Sequence, residues 1–201
     1  MAKIASIDAI LFDLGGVLVE LSGVEQMLSW SQGVADTREL WRRWLHSPAV
    51  RRFERGQSTH EHFTAEIIAE FGVPVDPAVF LDAFTRWPRA LYPGATDLLV
   101  ELAPHYTLAS VSNTNEIHWR RFTGEWQLDR HFHHNFPSYA VGRLKPDADY
   151  FEHVLESLGI PAHRVLFVDD NAINVEGAAR VGIVARQVAG PADVRKTLSE
   201  L

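Results

Sequence analysis

Three apolar, strand-like runs in this chain each end on polar or acidic residues, and the stretches between them carry helical patterning. Ile7 to Phe12 runs into Asp13-Leu14-Gly15-Gly16, Tyr106 to Val111 runs into Ser112-Asn113-Thr114-Asn115, and Val165 to Val168 runs into Asp169-Asp170-Asn171. Mostly apolar runs, rather than alternating ones, suit strands buried on both faces of a parallel sheet. Strands alternating with helices imply an α/β fold, a doubly wound parallel sheet with right-handed crossovers. In such a sheet ligands bind outside the carboxyl ends of the strands, so Asp13, Ser112 and the Asp169-Asp170 pair should converge on one crevice. Gly15-Gly16 let the chain turn sharply there and approach a ligand closely.

The predicted core helices are Ala95 to Leu102, Glu116 to Phe122, Asp147 to Leu158 and Ala172 to Val181. Gly159 and Gly182 stand where the last two should end. Gly182 to Val188 is a further strand and Pro191 to Leu201 a final helix. Between Val19 and Tyr106 strand signals vanish, over a gap too long for a simple loop. Its pattern is helical. Ser58 with Glu61 makes a capping box for a helix ending near Phe71-Gly72, Asp76-Pro77 can start another ending before Pro88, and Leu40-Trp41-Trp44-Leu45 recur at helical spacing. The expected organisation is an α/β core of residues 1–19 and 90–201, with a helical cap of residues 20–89 inserted after the first strand.

Composition fits a compact enzyme: 201 residues, 46% hydrophobic and 22% charged, can bury one good core and a small appended domain. A formal net charge of -7 does not favour nucleic acid or an anionic membrane as partner. The absence of cysteine rules out disulfide and thiolate chemistry. After Lys3, Asp8 and Asp13 interrupt the apolar run, so neither a signal peptide nor a membrane span is supported and a cytoplasmic location is expected. No oligomeric state is specified by the sequence.

A fourth component lies in Gly142-Arg143-Leu144-Lys145-Pro146-Asp147, where a lysine stands just before a helix that Pro146 and Asp147 can start. Beside three carboxylates it becomes a counter-ion. In this order Asp13, Ser112, Lys145 and Asp169-Asp170 resemble the four motifs of the haloacid dehalogenase superfamily, and the match spans the chain. Most similar is the subgroup with Asp-Leu-Gly and Ser-Asn-Thr-Asn motifs, which includes bacterial phosphatases acting on α-D-glucose 1-phosphate. The resemblance implies a Mg²⁺-dependent phosphomonoester hydrolase acting on a small phosphorylated metabolite, a sugar phosphate, through an aspartyl phosphate on Asp13. It implies catalytic roles for Asp13, Ser112 and Lys145. It also implies a metal held by Asp13, the Gly15 carbonyl, Asp169 and Asp170, with Asp169 acting through water and Asn174 orienting the acidic loop. The cation is needed because a carboxylate attacking a phosphate monoester meets another anion.

One position departs from the family pattern. Phosphatases of the superfamily usually carry an acid/base Asp two residues after the nucleophile, and here that residue is Gly15. Candidate substitutes are a water positioned by Asn115, or His118, Glu20 or His46. A missing acid penalises poor leaving groups most, so sugar 1-phosphates, whose anomeric oxygen leaves readily, should lead. Substrate contacts are expected from Gly15, Asn113 and Asn115 beside the phosphate, and from Trp41, Trp44, His46 and Arg51 in the cap. Two alternatives share the motif order: a metal-independent 2-haloacid dehalogenase, which the acidic pair Asp169-Asp170 opposes, and a degenerate protein that only binds a phosphorylated ligand. Plainer roles compete with some of these contacts. Trp41 and Trp44 at i,i+3 suit cap core, Arg42, Arg43, Arg51, Arg52 and Arg55 suit a solvated face paired with Glu39 and Glu54, and His131, His133 and His134 should point apart.

Overall fold

The computed structural model describes residues 6–31, 33 and 36–201. Strands are β1 (Ala9–Phe12), β2 (Val19–Leu21), β3 (Pro88–Leu91), β4 (Thr107–Ser112), β5 (His134–Pro137), β6 (Val165–Asp169) and β7 (Val184–Gln187). Helices are α1 (Gly23–Trp30), α2 (Thr37–His46), α3 (Pro48–Glu54), α4 (His60–Phe71), α5 (Pro77–Thr85), α6 (Ala95–Leu102), α7 (Glu116–Gly124), α8 (Ser138–Val141), α9 (Ala148–Leu158), α10 (Ala172–Arg180) and α11 (Gly190–Glu200). Among the described residues no helix is long and apolar enough to cross a membrane.

Five strands form one parallel sheet in the order β5-β4-β1-β6-β7. The central strand β1 pairs with β4 and β6, so Leu11 lies opposite both Ala109 and Phe167. Period-two alternation divides its side chains between two cores. Ile10 and Phe12 pack with Leu108, Leu166 and Val168 against Leu98 and Leu99 of α6 and Val194 and Leu198 of α11. Ala9 and Leu11 pack on the other face with Ala109, Val111 and Phe167 against Tyr150, Phe151 and Val154 of α9. Burial on both faces is why these strands read as unbroken apolar runs.

The helices α1 to α5 fall between β2 and β3 and hold a third core, dominated by aromatic rings. Phe53 stacks on Phe63 with centroids 4.1 Å apart, and Trp44 meets Phe63 edge-on at 6.3 Å. Of the tryptophan pair, Trp44 is buried and Trp41 is exposed.

Several local expectations are corrected. The junction on either side of the helical segment is a two-stranded antiparallel ribbon, β2 with β3, where no strand was expected. Both strands are short and carry Glu20, Pro88 and Arg89, which hides any periodicity. The cap of α4 is Thr59, whose hydroxyl accepts from the His62 N–H, rather than Ser58. Asp76 and Pro77 do start α5, and Ser47 with Pro48 starts α3, which the sequence did not resolve.

Candidate active site

The sheet brings three of the motifs to the carboxyl ends of the adjacent strands β4, β1 and β6. Asp13 follows β1 directly, and its N–H continues the ladder to the Val168 carbonyl at 3.0 Å, which sets it beside Asp169 at the end of β6. Ser112 ends β4 on the other side of β1. The turn after Asp13 depends on Gly16, which sits at φ +71°, and a Cβ there would lie 2.2 Å from Asp170 Oδ2. Only a glycine admits both the left-handed backbone and the close approach of the acidic loop.

Lys145 is the hub. Its Nζ lies 2.8 Å from Asp13 Oδ1 and 2.6 Å from Asp169 Oδ2, with the lysine only 1% exposed. Burial works against its charge, and Asp13 and Asp169 together outweigh it, so its pKa is raised. The backbone of Lys145 is fixed by a reciprocal pair: its N–H donates to Asn113 Oδ1 and its carbonyl accepts from Asn113 Nδ2, both at 2.9 Å. Asp169 is fully buried and its oxygens are taken: Asn174 Nδ2 donates to both at 3.1 Å, the Asn171 N–H to Oδ1 at 2.8 Å, and Lys145 to Oδ2. Asn174 thus ties α10 to Asp169 at the end of β6.

Asp13, Asp169 and Asp170 present carboxylate oxygens that lie within 4.8 Å of one another, the one such group among the described residues. Burial pushes the Asp13 carboxyl up to about 6, with Lys145 pulling it back and Asp169 adding to the rise. Burial, reinforced by Asp13 and Asp169, pushes Asp170 up to about 7. Crowded carboxylates of this kind gain from a hard divalent cation that takes oxygen ligands, and the donor set fits Mg²⁺.

Residues 7–182 match the model of the haloacid dehalogenase-like hydrolases. The chain belongs to that family. The hydrolase is 29% identical over 184 residues to the sesquiterpene phosphatase AstK of Aspergillus oryzae, covering 88% of this chain and 87% of that one. It is 22% identical over 197 residues to the D-ribitol-5-phosphate phosphatase of Bacteroides thetaiotaomicron, covering 94% and 96%. A haloacid dehalogenase family enzyme of Bacteroides thetaiotaomicron, crystallised with magnesium and inorganic phosphate, superposes with a TM-score of 0.70 at 25% identity over 90% of this chain and 94% of that one.

The remaining expected contacts of the hydrolase are placed differently from one another. Asn113 is bound to the Lys145 backbone, and Asn115 caps α7, its Oδ1 accepting from the His118 N–H at 3.1 Å and its amide meeting the His118 ring. Both amides are spent on holding the protein together. His118 is pushed down to about 4 by burial, and its Nε2 lies 2.7 Å from the Phe84 carbonyl. Trp41 is exposed, and the exposed His46 ring is bonded to the Arg42 carbonyl on its own helix. Glu20 pairs with Arg89. Arg51 does reach the motif loops: Arg51 and Arg55 donate to the same oxygen of Asp147, at 2.6 and 2.7 Å, two residues beyond Lys145. Arg52 bonds Glu66. Glu54, expected as a partner of this stretch, is held electrostatically by Lys145 and Arg51 together, with Asp13 opposing them. The sequence offered one signal for Glu54, an acid embedded in a run of arginines. His133 Nδ1 accepts from the Leu108 N–H and His134 stacks on Phe136, so these two rings turn to different partners.

Proposed function

We propose that the chain is a Mg²⁺-dependent phosphomonoester hydrolase acting on small phosphorylated metabolites of the sugar and polyol phosphate class, through an aspartyl phosphate on Asp13. The observation that carries this reading is Lys145 bridging Asp13 and Asp169 while Asp170, partly open to solvent, faces the same point. A dehalogenase needs no second acidic ligand. A protein that only binds its ligand needs no buried cation held against its nucleophile.

Asp13, Asp170 and the Gly15 carbonyl would hold the cation, which when bound neutralises the phosphoryl oxygens and removes the repulsion between two anions. Asp13 attacks phosphorus, the ester oxygen leaves, and water then attacks the phosphorus of the aspartyl phosphate to release inorganic phosphate and regenerate Asp13. Lys145 offsets the charge on Asp13 and on the transferring group, and the Ser112 hydroxyl with the Asn113 backbone amide holds phosphoryl oxygens. Asp169 has no free oxygen and positions Lys145 and the loop. The segment α1 to α5, with its own aromatic core, serves as the cap that closes over the substrate and excludes water.

The substrate class is supported by the resemblance of the motifs to those of sugar phosphatases and by the likeness to the ribitol-phosphate enzyme along most of both chains. A panel of phosphorylated metabolites assayed with Mg²⁺ tests it. Sugar and polyol phosphates should outrank nucleotides and phosphoproteins. A clear preference for a nucleotide, a phosphoprotein, a terpenyl phosphate or a 2-haloacid would overturn the assignment.

A further inference from the structure

Phosphomonoester hydrolysis requires a proton for the departing ester oxygen and a group to deprotonate the attacking water. The position where the family keeps that group is Gly15, and a Cβ there would lie 2.8 Å from Leu21 Cδ1, so a leucine side chain occupies the space. The candidates expected from sequence are all otherwise engaged: His118 and Asn115 with each other and with Phe84, Glu20 with Arg89, His46 with its own helix.

We propose that Glu54, at the end of α3, is the proton-transfer residue of this hydrolase. The proposal rests on the phosphatase reading above. Glu54 is the last residue of α3, a helix anchored to the motif loops on both sides of it. Arg51 and Arg55 bond Asp147, and the turn at Gly56, at φ +70°, lies so near α8 that a Cβ would stand 2.4 Å from the Tyr139 carbonyl. Held this way, the half-buried Glu54 carboxyl is in electrostatic reach of Lys145, Arg51 and Asp13, the charged groups that face it. Glu54 thus lies between the two arginines that tie α3 to the Lys145 loop.

Burial pushes Glu54 up to about 7, against the lowering pull of Lys145 and Arg51 and with a rise from Asp13. An acid near neutrality can both give and take a proton. In the first step Asp13 forms its bond to phosphorus, the phosphorus–ester oxygen bond breaks, and the ester oxygen takes the Glu54 proton and leaves as an alcohol. In the second step the Glu54 carboxylate takes a proton from water as that water's oxygen bonds to phosphorus. The Asp13–phosphorus bond breaks with its electron pair returning to Asp13, and Glu54 is again protonated. With this donor in place, ordinary alkyl phosphates become substrates and the ground for ranking anomeric phosphates first disappears.

The test compares wild type, Glu54→Gln and Glu54→Asp on p-nitrophenyl phosphate and on an alkyl phosphate, both with Mg²⁺. An acid is needed most by the poor leaving group. Glu54→Gln should lower kcat/KM on the alkyl ester by about 100-fold or more, and on the aryl ester by less than about 10-fold. The fall of wild-type kcat/KM on the alkyl ester above about pH 7 should vanish in the Gln variant. Phosphorylated enzyme should accumulate in acid-quenched Gln samples, and Glu54→Asp should recover part of the loss. Equal losses on both esters, or none, would overturn the role of Glu54 and leave the phosphatase reading intact. No phosphate release by wild type from either ester would overturn both. Wild type also provides a check that needs no variant: a steep fall in kcat/KM from aryl to alkyl ester contradicts an acid in place.

Discussion

Lys145 Nζ lies 2.8 Å from Asp13 Oδ1, out of water, and 2.6 Å from Asp169 on its other side. Removing the cation leaves two buried carboxylates facing each other. Lys145→Met, which keeps most of the volume, should cost about 3–5 kcal/mol of stability, the usual penalty for stranding one side of a buried pair. Phosphatase activity should fall at least about 100-fold. Denaturant unfolding and steady-state assays check this, and a stability change below about 1 kcal/mol would show that the bridge is not structural.

Asp13 and Asp170 bind protons more tightly in the folded protein than an ordinary carboxyl does. A raised folded-state pKa stabilises below the unfolded value, and that contribution is lost as pH rises through the folded value. For Asp13, a rise from 3.8 to about 6 corresponds to on the order of 3 kcal/mol once it is fully ionised. With chelator present, the thermal midpoint should therefore fall between about pH 5 and about pH 8. Mg²⁺ binds the ionised form, so it should raise the midpoint more at the higher pH. A Mg²⁺ effect of the same size at both would contradict this placement of the cation.

Gly16 separates the nucleophile loop from Asp170. Gly16→Ala adds a Cβ that would stand 2.2 Å from Asp170 Oδ2 and forces alanine to φ +71°. The backbone strain alone is about 1–2 kcal/mol, and Asp170 must move. Titration calorimetry should show Mg²⁺ affinity reduced by about 10-fold or more, as for a displaced ligand group. Unchanged affinity would mean that Asp170 does not hold the metal.

Gly15 and Leu21 form a second coupled pair. Gly15→Asp would bring its Cβ to 2.8 Å from Leu21 Cδ1, the far end of a flexible, part-exposed side chain. Alone, the new acid should be misplaced and activity on alkyl phosphates unchanged or lower. Combined with Leu21→Ala it should restore at least about 10-fold to a Glu54→Gln enzyme. If the triple variant gains nothing, the Gly15 position cannot host a working acid in this protein.

The strand ends were legible because an apolar run that stops abruptly on an acid or a hydroxyl marks where a buried strand ends, and Asp13, Ser112 and Asp169 stand at the ends of the neighbouring strands β1, β4 and β6. The ribbon β2–β3 was not, since three or four residues with a proline and charges carry no period. Asn113 and Asn115 were identified as residues near the site, but their partners were not. Asn113 bonds Lys145 from 32 positions away, and only the folded chain reveals such a pairing. Trp41 and Trp44 differ by which face of α2 meets the aromatic core, and a pair at i,i+3 does not say which is inside. Glu54 stayed hidden for a related reason: among arginines it looks like a surface counter-ion, and its meaning depends on how α3 is docked against Asp147.

Catalysis through Asp13 and a bound cation is tested by phosphate release from small phosphomonoesters, measured for wild type with Mg²⁺, for wild type with excess chelator, and for Asp13→Asn. An amide is a poor nucleophile and a weaker metal ligand, so release is predicted only in the first case. Full activity in the chelated enzyme, or in the Asn variant, would contradict the mechanism.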